Sequence, residues 1–293
     1  MIKVERVAAV ANELGECPIW DERSGRLLWV DILGRMLHHL DPSSGRESHV
    51  ATARAVGSFA LTETGNLLLA AGRGGLSWLD PVSGALRPIL DPEPDRPDNR
   101  FNDGRCDRAG RFWAGTMCDP RREPEGALYR IGADLSCRRF RDGIIVPNSI
   151  AWSPDGTVMY FADTYRRTIW AFDYDQAEGT MRGERVFAVL SEGRGRPDGS
   201  AVDADGCLWN AVYGGGRLVR YRPDGRIDRE IPLPVSAPTC CAFGDGDLGT
   251  LYVTSACQRM SEAERAREPE AGNLLALRPG VSGLQESRFA GLP

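Results

Sequence analysis

The chain has 293 residues, 42% hydrophobic and 26% charged, with 34 Gly and 19 Pro, which supplies a sizeable core and excludes a disordered chain. Its 36 basic and 41 acidic side chains leave a net charge of −5, so nucleic acid, which needs a clustered positive surface, is not an expected partner. Lys3 is the sole lysine, which removes Schiff-base and Ser/Lys chemistry.

At the N-terminal side, Glu5 and Arg6 interrupt the apolar stretch around Val7–Ala11, so no export signal is expected. No apolar run approaches the roughly 18 residues of a membrane span, and no membrane partner is expected. Six segments then follow one pattern of apolar strand, glycine-containing turn and second apolar strand. They are CPIWDERSGRLLWVD (17–31), SFALTETGNLLLAA (58–71), GRCDRAGRFWAGT (104–116), SIAWSPDGTVMYFAD (149–163), SAVDADGCLWNAV (200–212) and CAFGDGDLGTLYVTS (241–255). Their turn glycines, Gly25, Gly65, Gly110, Gly156, Gly206 and Gly249, lie 40 to 50 residues apart. Third strands follow at MLHHLDPSSG, LSWLDPVSG, TIWAFDYD and LVRYRPDG, and helical periodicity is weak and confined to 261–268. Period-two alternation in units of this length predicts an all-β, six-bladed β-propeller over 1–293 as a single domain, with N- and C-terminal strands sharing a blade. A β-sandwich or two stacked barrels would give no reason for six similar units. The eight cysteines, with no CxxC pair, read as free thiols of a cytoplasmic protein.

Eight or nine residues before the turn glycines stand Glu16, Val56, Asn102, Asn148 and Asp198, with Thr239 in the less regular last unit. In a propeller these entries to the first strands form a ring at one mouth of the channel. Four hard oxygen donors, Glu16, Asn102, Asn148 and Asp198, therefore converge, and they suit one divalent cation. Taken singly, each reads equally as a turn residue satisfying its own backbone. The shared register favours the site.

The segments ELGECPIWDERSGRLLWVD, RFNDGRCDRAGRFWAGTM, VPNSIAWSPDGTVMYFADT and RPDGSAVDADGCLW, in this order and spacing, resemble the regucalcin/gluconolactonase family of lactone hydrolases over about residues 10–280. The resemblance implies a six-bladed propeller with one divalent ion (Ca, Zn, Mn, Mg or Fe) on Glu16, Asn148 and Asp198. It also implies sugar-hydroxyl contacts from Arg100 and Asn102, and a catalytic acid/base at Asp198. Where some members place a substrate-touching glutamate after AGTM, this chain reads Cys118, Asp119, Pro120.

The expected function is metal-dependent opening of sugar lactones such as gluconolactone or xylonolactone to the aldonic acid. A non-catalytic calcium-binding propeller, or an esterase or organophosphate hydrolase using the same metal site, are the alternatives. Neither GxSxG nor HExxH occurs. His38, His39 and His49 read as surface residues near the third strand of the first blade and the loop after it, and Gly214–Gly216 as a repeated hairpin turn. Asp31 and Asp163 close second strands, as turn residues or as supports for the ring. With no lysine near the mouth, neutral lactones are expected over phosphorylated ones. The oligomeric state is open, and a monomer is compatible.

Overall fold

Polarity within each repeat decides where its strands lie. In the computed structural model, which describes residues 2–293, these residues form six four-stranded antiparallel sheets. Blade 1 comprises Gly15–Asp21, Arg26–Asp31, Met36–Asp41 and Arg46–Ala51. Its second strand, RLLWVD, is buried everywhere except its first residue, whereas the fourth, RESHVA, has no buried residue. A strand covered on both faces must be apolar on both, while charges on the outer edge discourage pairing with other chains.

Blades 2 to 5 span 56–90, 99–144, 147–189 and 196–232. Blade 6 takes Pro238–Gly244, Thr250–Ser255 and Leu274–Leu277, and its outermost strand is Val4–Ala8, with Val4 opposite Leu277. The shared blade expected from the repeats is therefore present. First strands contact one another in sequence order, and the last returns to the first, so they enclose a central channel. Aromatic layers fill the spaces between blades: Trp113, Trp152 and Phe161 between blades 3 and 4, and Trp20, Trp29 and Tyr252 between blades 1 and 6. Full burial stabilises each large apolar side chain by about 1.5–3 kcal/mol.

Gly25, Gly65, Gly110, Gly156 and Gly206 all adopt positive φ, from 65° to 81°, as their turns require. The sixth turn differs from the expectation. Asp245 (φ 68°) and Leu248 (φ 50°) take the left-handed positions instead of Gly249, because this loop closes through Leu248 N–H donating to Asp245 O. The weak helical period resolves as Glu262–Arg267, started by a Ser261/Glu264 capping box.

A feature with no sequence signal closes the far mouth of the channel. Residues after Leu277 run across the ends of the first strands: Ala204 N–H donates to Ser282 O (2.9 Å), Phe289 N–H to Leu61 O (2.7 Å) and Ala290 N–H to Gly110 O (2.9 Å). Glu286 reaches inward to Arg105 at 3.3 Å. All eight cysteines are free, and among the described residues no helix is long and apolar enough to cross a membrane.

Candidate active site at the channel mouth

Each first strand breaks its pairing register at the ring position. The slips fall between Glu16 and Ile19, Val56 and Ser58, Phe101 and Gly104, Asn148 and Ala151, Pro197 and Ser200, and Pro238 and Cys240. A bulge bends the strand and re-aims a side chain, here toward the channel mouth. Cys17 and Ser149, directly after ring residues, sit at φ 50° and 58°, a conformation costing about 1–3 kcal/mol. Ser149 is held there by its hydroxyl, which donates to Asp198 O at 2.6 Å, and by Asn210 Nδ2, which donates to Ser149 Oγ at 3.0 Å and to the Asp198 carbonyl at 2.9 Å. Gly199 is required by close approach, since a Cβ there would lie 2.3 Å from Cys240 Sγ.

Two strand-ending aspartates steady the approach to the ring. Asp31 accepts from the N–H groups of Glu13 (2.9 Å) and Leu14 (3.0 Å), and Asp163 from those of Ile145 (2.9 Å) and Val146 (3.2 Å). They clamp the segments leading into Glu16 and Asn148. Both aspartates are thus supports as well as turn residues.

Glu16, Asn148 and Asp198 are buried, at 6%, 2% and 5% exposure, and line one cavity of about 130 Å³. Burial, then the charge of Asp103, pushes the Glu16 carboxyl up to about 8. Burial, then the charge of Glu16, holds Asp198 well above the carboxylate range. Asp198 Oδ1 is buried with no hydrogen-bond partner. Asn148 is oriented by Thr164: the threonine hydroxyl donates to Pro197 O (2.8 Å) and so accepts from Asn148 Nδ2 (2.7 Å). The amide oxygen of Asn148 is its remaining polar end, approached by Asn102 Nδ2 at 3.5 Å. Two buried carboxylates, an orphaned carboxylate oxygen and an oriented amide oxygen fit a hard divalent cation.

Asn102 lies in the same cavity but with different company. Its Oδ1 accepts from Arg100 Nη1 (2.8 Å), and its Nδ2 donates to Pro147 O (3.0 Å). An oxygen already facing a guanidinium is a poor cation ligand, which groups Asn102 with Arg100. Arg100 is itself buried and lies 3.1 Å from Asp119 through Nε. Asp119, in the segment that departs from the family pattern, also meets Arg73 (2.9 Å) and Arg122 (3.2 Å).

Several lining residues were not anticipated from sequence: Thr164, Tyr165, Tyr213 and Gln258, and the arginines Arg122, Arg196 and Arg259. They come from different blades, and part of the set shares a register: Arg196 stands two residues before Asp198 as Arg100 stands two before Asn102, while Tyr213 lies opposite Arg196 and Thr164 opposite Val146. The arginines correct the expectation of a mouth with few cations, which rested on the missing lysines.

Residues 14–257 match the SMP-30/Gluconolactonase/LRE-like region. The chain belongs to this family. It is 42% identical over 281 residues to the 6-deoxy-6-sulfogluconolactonase of Pseudomonas putida, covering 95% of each chain. Identity to the L-arabinolactonase of Azospirillum brasilense is 40% over 291 residues, covering 98% of this chain and 95% of the other. The crystal structure of the calcium-binding protein regucalcin from Agrobacterium tumefaciens str. C58 matches with a TM-score of 0.93 at 32% identity, covering 98% of this chain and 97% of the other.

Within this SMP-30/gluconolactonase-like frame the three histidines lie in the outer strands of blade 1; the reading as surface residues holds for the exposed His49, whereas His39 is half-buried and His38 departs from it. His38 is buried, with its ring stacked on Trp29 at 4.8 Å, and His49 belongs to the fourth strand, directly opposite His38. Both face Glu47, at 3.0 and 3.3 Å, and the ligand atoms of the three lie within 4.8 Å of one another. This group could also hold a cation, but it is not part of the channel mouth.

Proposed function

We propose that this member of the family hydrolyses sugar lactones at the channel mouth, with one divalent ion held by Glu16, Asn148 and Asp198. The observation that carries the reading is the orphaned, buried Asp198 Oδ1 beside Glu16. When bound, a divalent ion there polarises a carbonyl and acidifies water. The chain's own residues supply the rest. Asp198, its backbone fixed by Ser149 and Asn210, takes the proton of the attacking water and returns it to the ring oxygen as the ester bond breaks. A carboxylate that ligates a cation loses basicity, so this transfer would fall to whichever Asp198 oxygen does not serve as a ligand. Arg100 keeps Nη2 as an uncommitted donor, and Asn102 Oδ1 keeps one lone pair; both suit sugar hydroxyls. A site that merely stored calcium would gain nothing from a guanidinium in its wall.

Aldonolactones are the substrate class, with gluconolactone, xylonolactone and the arabinolactone of the Azospirillum relative as first candidates. The unpaired thiols favour a reducing compartment such as the cytoplasm. A pH-drop screen over aldonolactones in the presence of Mn²⁺, Mg²⁺, Ca²⁺, Zn²⁺ or Fe²⁺ is expected to show turnover. Arg100→Ala is expected to lower kcat/KM on a hydroxylated lactone about 10-fold to 100-fold, the scale of a lost charged hydrogen bond, and to affect an unhydroxylated lactone less. No turnover of any lactone with metal supplied would rule the reading out.

A further inference from the structure

We infer that the channel mouth carries an anion subsite, built from Arg122, Arg196 and Arg259, which selects sugar lactones bearing a negatively charged group remote from the ring carbonyl. This deepens the lactonase reading and rests on it. All three arginines line the same cavity as Glu16 and Asp198. Arg122 and Arg259 also line the adjoining outer hollow, together with Arg73 and Arg265. That hollow also carries Glu13, Asp98 and Asp119, so the positive excess is concentrated in the wall of the cavity itself.

Charge balance shows that this wall is not neutralised from within. Among the described residues, neither Arg196 nor Arg259 pairs with a carboxylate, whereas Arg73, Arg100 and Arg122 all converge on one, Asp119, at 2.9, 3.1 and 3.2 Å. In the adjoining hollow four arginines (Arg73, Arg122, Arg259, Arg265) face three carboxylates (Glu13, Asp98, Asp119), a surplus of 4 − 3 = +1, and Arg100 and Arg196 add two further positive charges in the cavity. Arg196 packs 4.4 Å over the ring of Tyr165, a contact that orients a guanidinium without cancelling its charge. The deeper floor absorbs only part of the surplus: Glu16, Asp198 and Asp103, whose charge acts on both, contribute −3, and the divalent ion proposed there contributes +2, which leaves −1.

A neutral sugar is recognised by hydroxyl contacts and has no use for several guanidiniums that repel one another. A sulfonate, phosphate or carboxylate relieves that repulsion and matches the planar, two-pronged donor geometry of arginine. The net charge of −5 for the whole chain is no obstacle, because the local field at a cleft governs which ions it concentrates. An anion subsite runs against the expectation of neutral substrates drawn from composition.

The test compares gluconolactone with 6-phosphogluconolactone, its 6-sulfonate counterpart and a glucarolactone carrying a terminal carboxylate. At low ionic strength at least one charged lactone is expected to exceed gluconolactone in kcat/KM by about 10-fold or more, and the advantage should shrink as salt is added. The three head groups separate the anion chemistries. Arg196→Gln and Arg259→Gln should each lower the charged-to-neutral ratio of kcat/KM by about 10-fold. A binding arm needs no turnover: calorimetry should show 6-phosphogluconate binding more tightly than gluconate, with the difference reduced in both variants. Equal or better use of gluconolactone, with no difference between the two acids in binding, overturns the subsite while leaving the lactonase reading standing. Loss of all lactone turnover, with the binding preference intact, overturns the lactonase reading instead.

Discussion

Asp198→Asn is expected to lower kcat by about 10²-fold or more while leaving the propeller folded, the scale on which a general acid or base contributes. The substitution keeps the size of the side chain but removes the proton acceptor and one anionic ligand. Its effect on stability should be opposite in sign to its effect on activity. In metal-free protein, burial raises both carboxyls, Glu16 to about 8 from an ordinary 4.5. The folded chain therefore holds protons that the unfolded chain has already released. Under proton linkage, stability then falls as pH rises from about 4.5 through 8. Removing the Asp198 titration makes this slope shallower, so metal-free Asp198→Asn should melt above metal-free wild type at pH 8. Thermal unfolding in chelator at pH 5 and pH 8, alongside steady-state kinetics, checks both signs. Wild-type kcat in the variant would exclude Asp198 as acid or base.

Five residues along the chain, Asp203→Ala is expected to do the reverse, destabilising the fold by about 3–5 kcal/mol with little change in kcat per folded molecule. Asp203 is fully buried, and its carboxylate accepts from Trp209 Nε1 and Arg220 Nε, both at 2.8 Å, and from Cys207 N–H at 2.9 Å. Arg220 is also buried and pairs with Asp205 (2.8 Å) and Asp228 (2.9 Å). Truncating Asp203 strands an indole N–H, a backbone N–H and part of a guanidinium where water does not reach them. Asp203→Asn retains one acceptor and should fall between wild type and alanine in urea unfolding. Equal midpoints for all three proteins would show that this cluster contributes nothing to stability.

The difference between these two aspartates indicates what could be read from sequence. Glu16, Asn148 and Asp198 share a register relative to turn glycines, and a ring of blades converts shared register into proximity, so their convergence was legible. The same logic found the blade that residues 4–8 complete. It could not find the bulges, because Cys17 and Ser149 adopt positive φ without the glycine that usually marks it. Arg196 shares that logic, two residues before Asp198 as Arg100 is before Asn102, but Arg122 and Arg259 reach the mouth from loops after second strands, which carry no such register. The closure of the far mouth by residues 279–290 depends on backbone hydrogen bonds, which carry little side-chain signature. Asp119 was visible as a departure from the family pattern, but its role in gathering Arg73, Arg100 and Arg122 required the fold.

Metal content and lactone turnover measured on one sample test the central claim most directly. Purified protein should hold one divalent ion per chain. Exhaustive chelation should abolish turnover, and stepwise return of a divalent ion should restore it in proportion to occupancy. Glu16→Gln and Asn148→Ala should each weaken that occupancy. Undiminished lactone turnover in protein shown by elemental analysis to be free of metal would contradict a divalent-ion site at Glu16, Asn148 and Asp198.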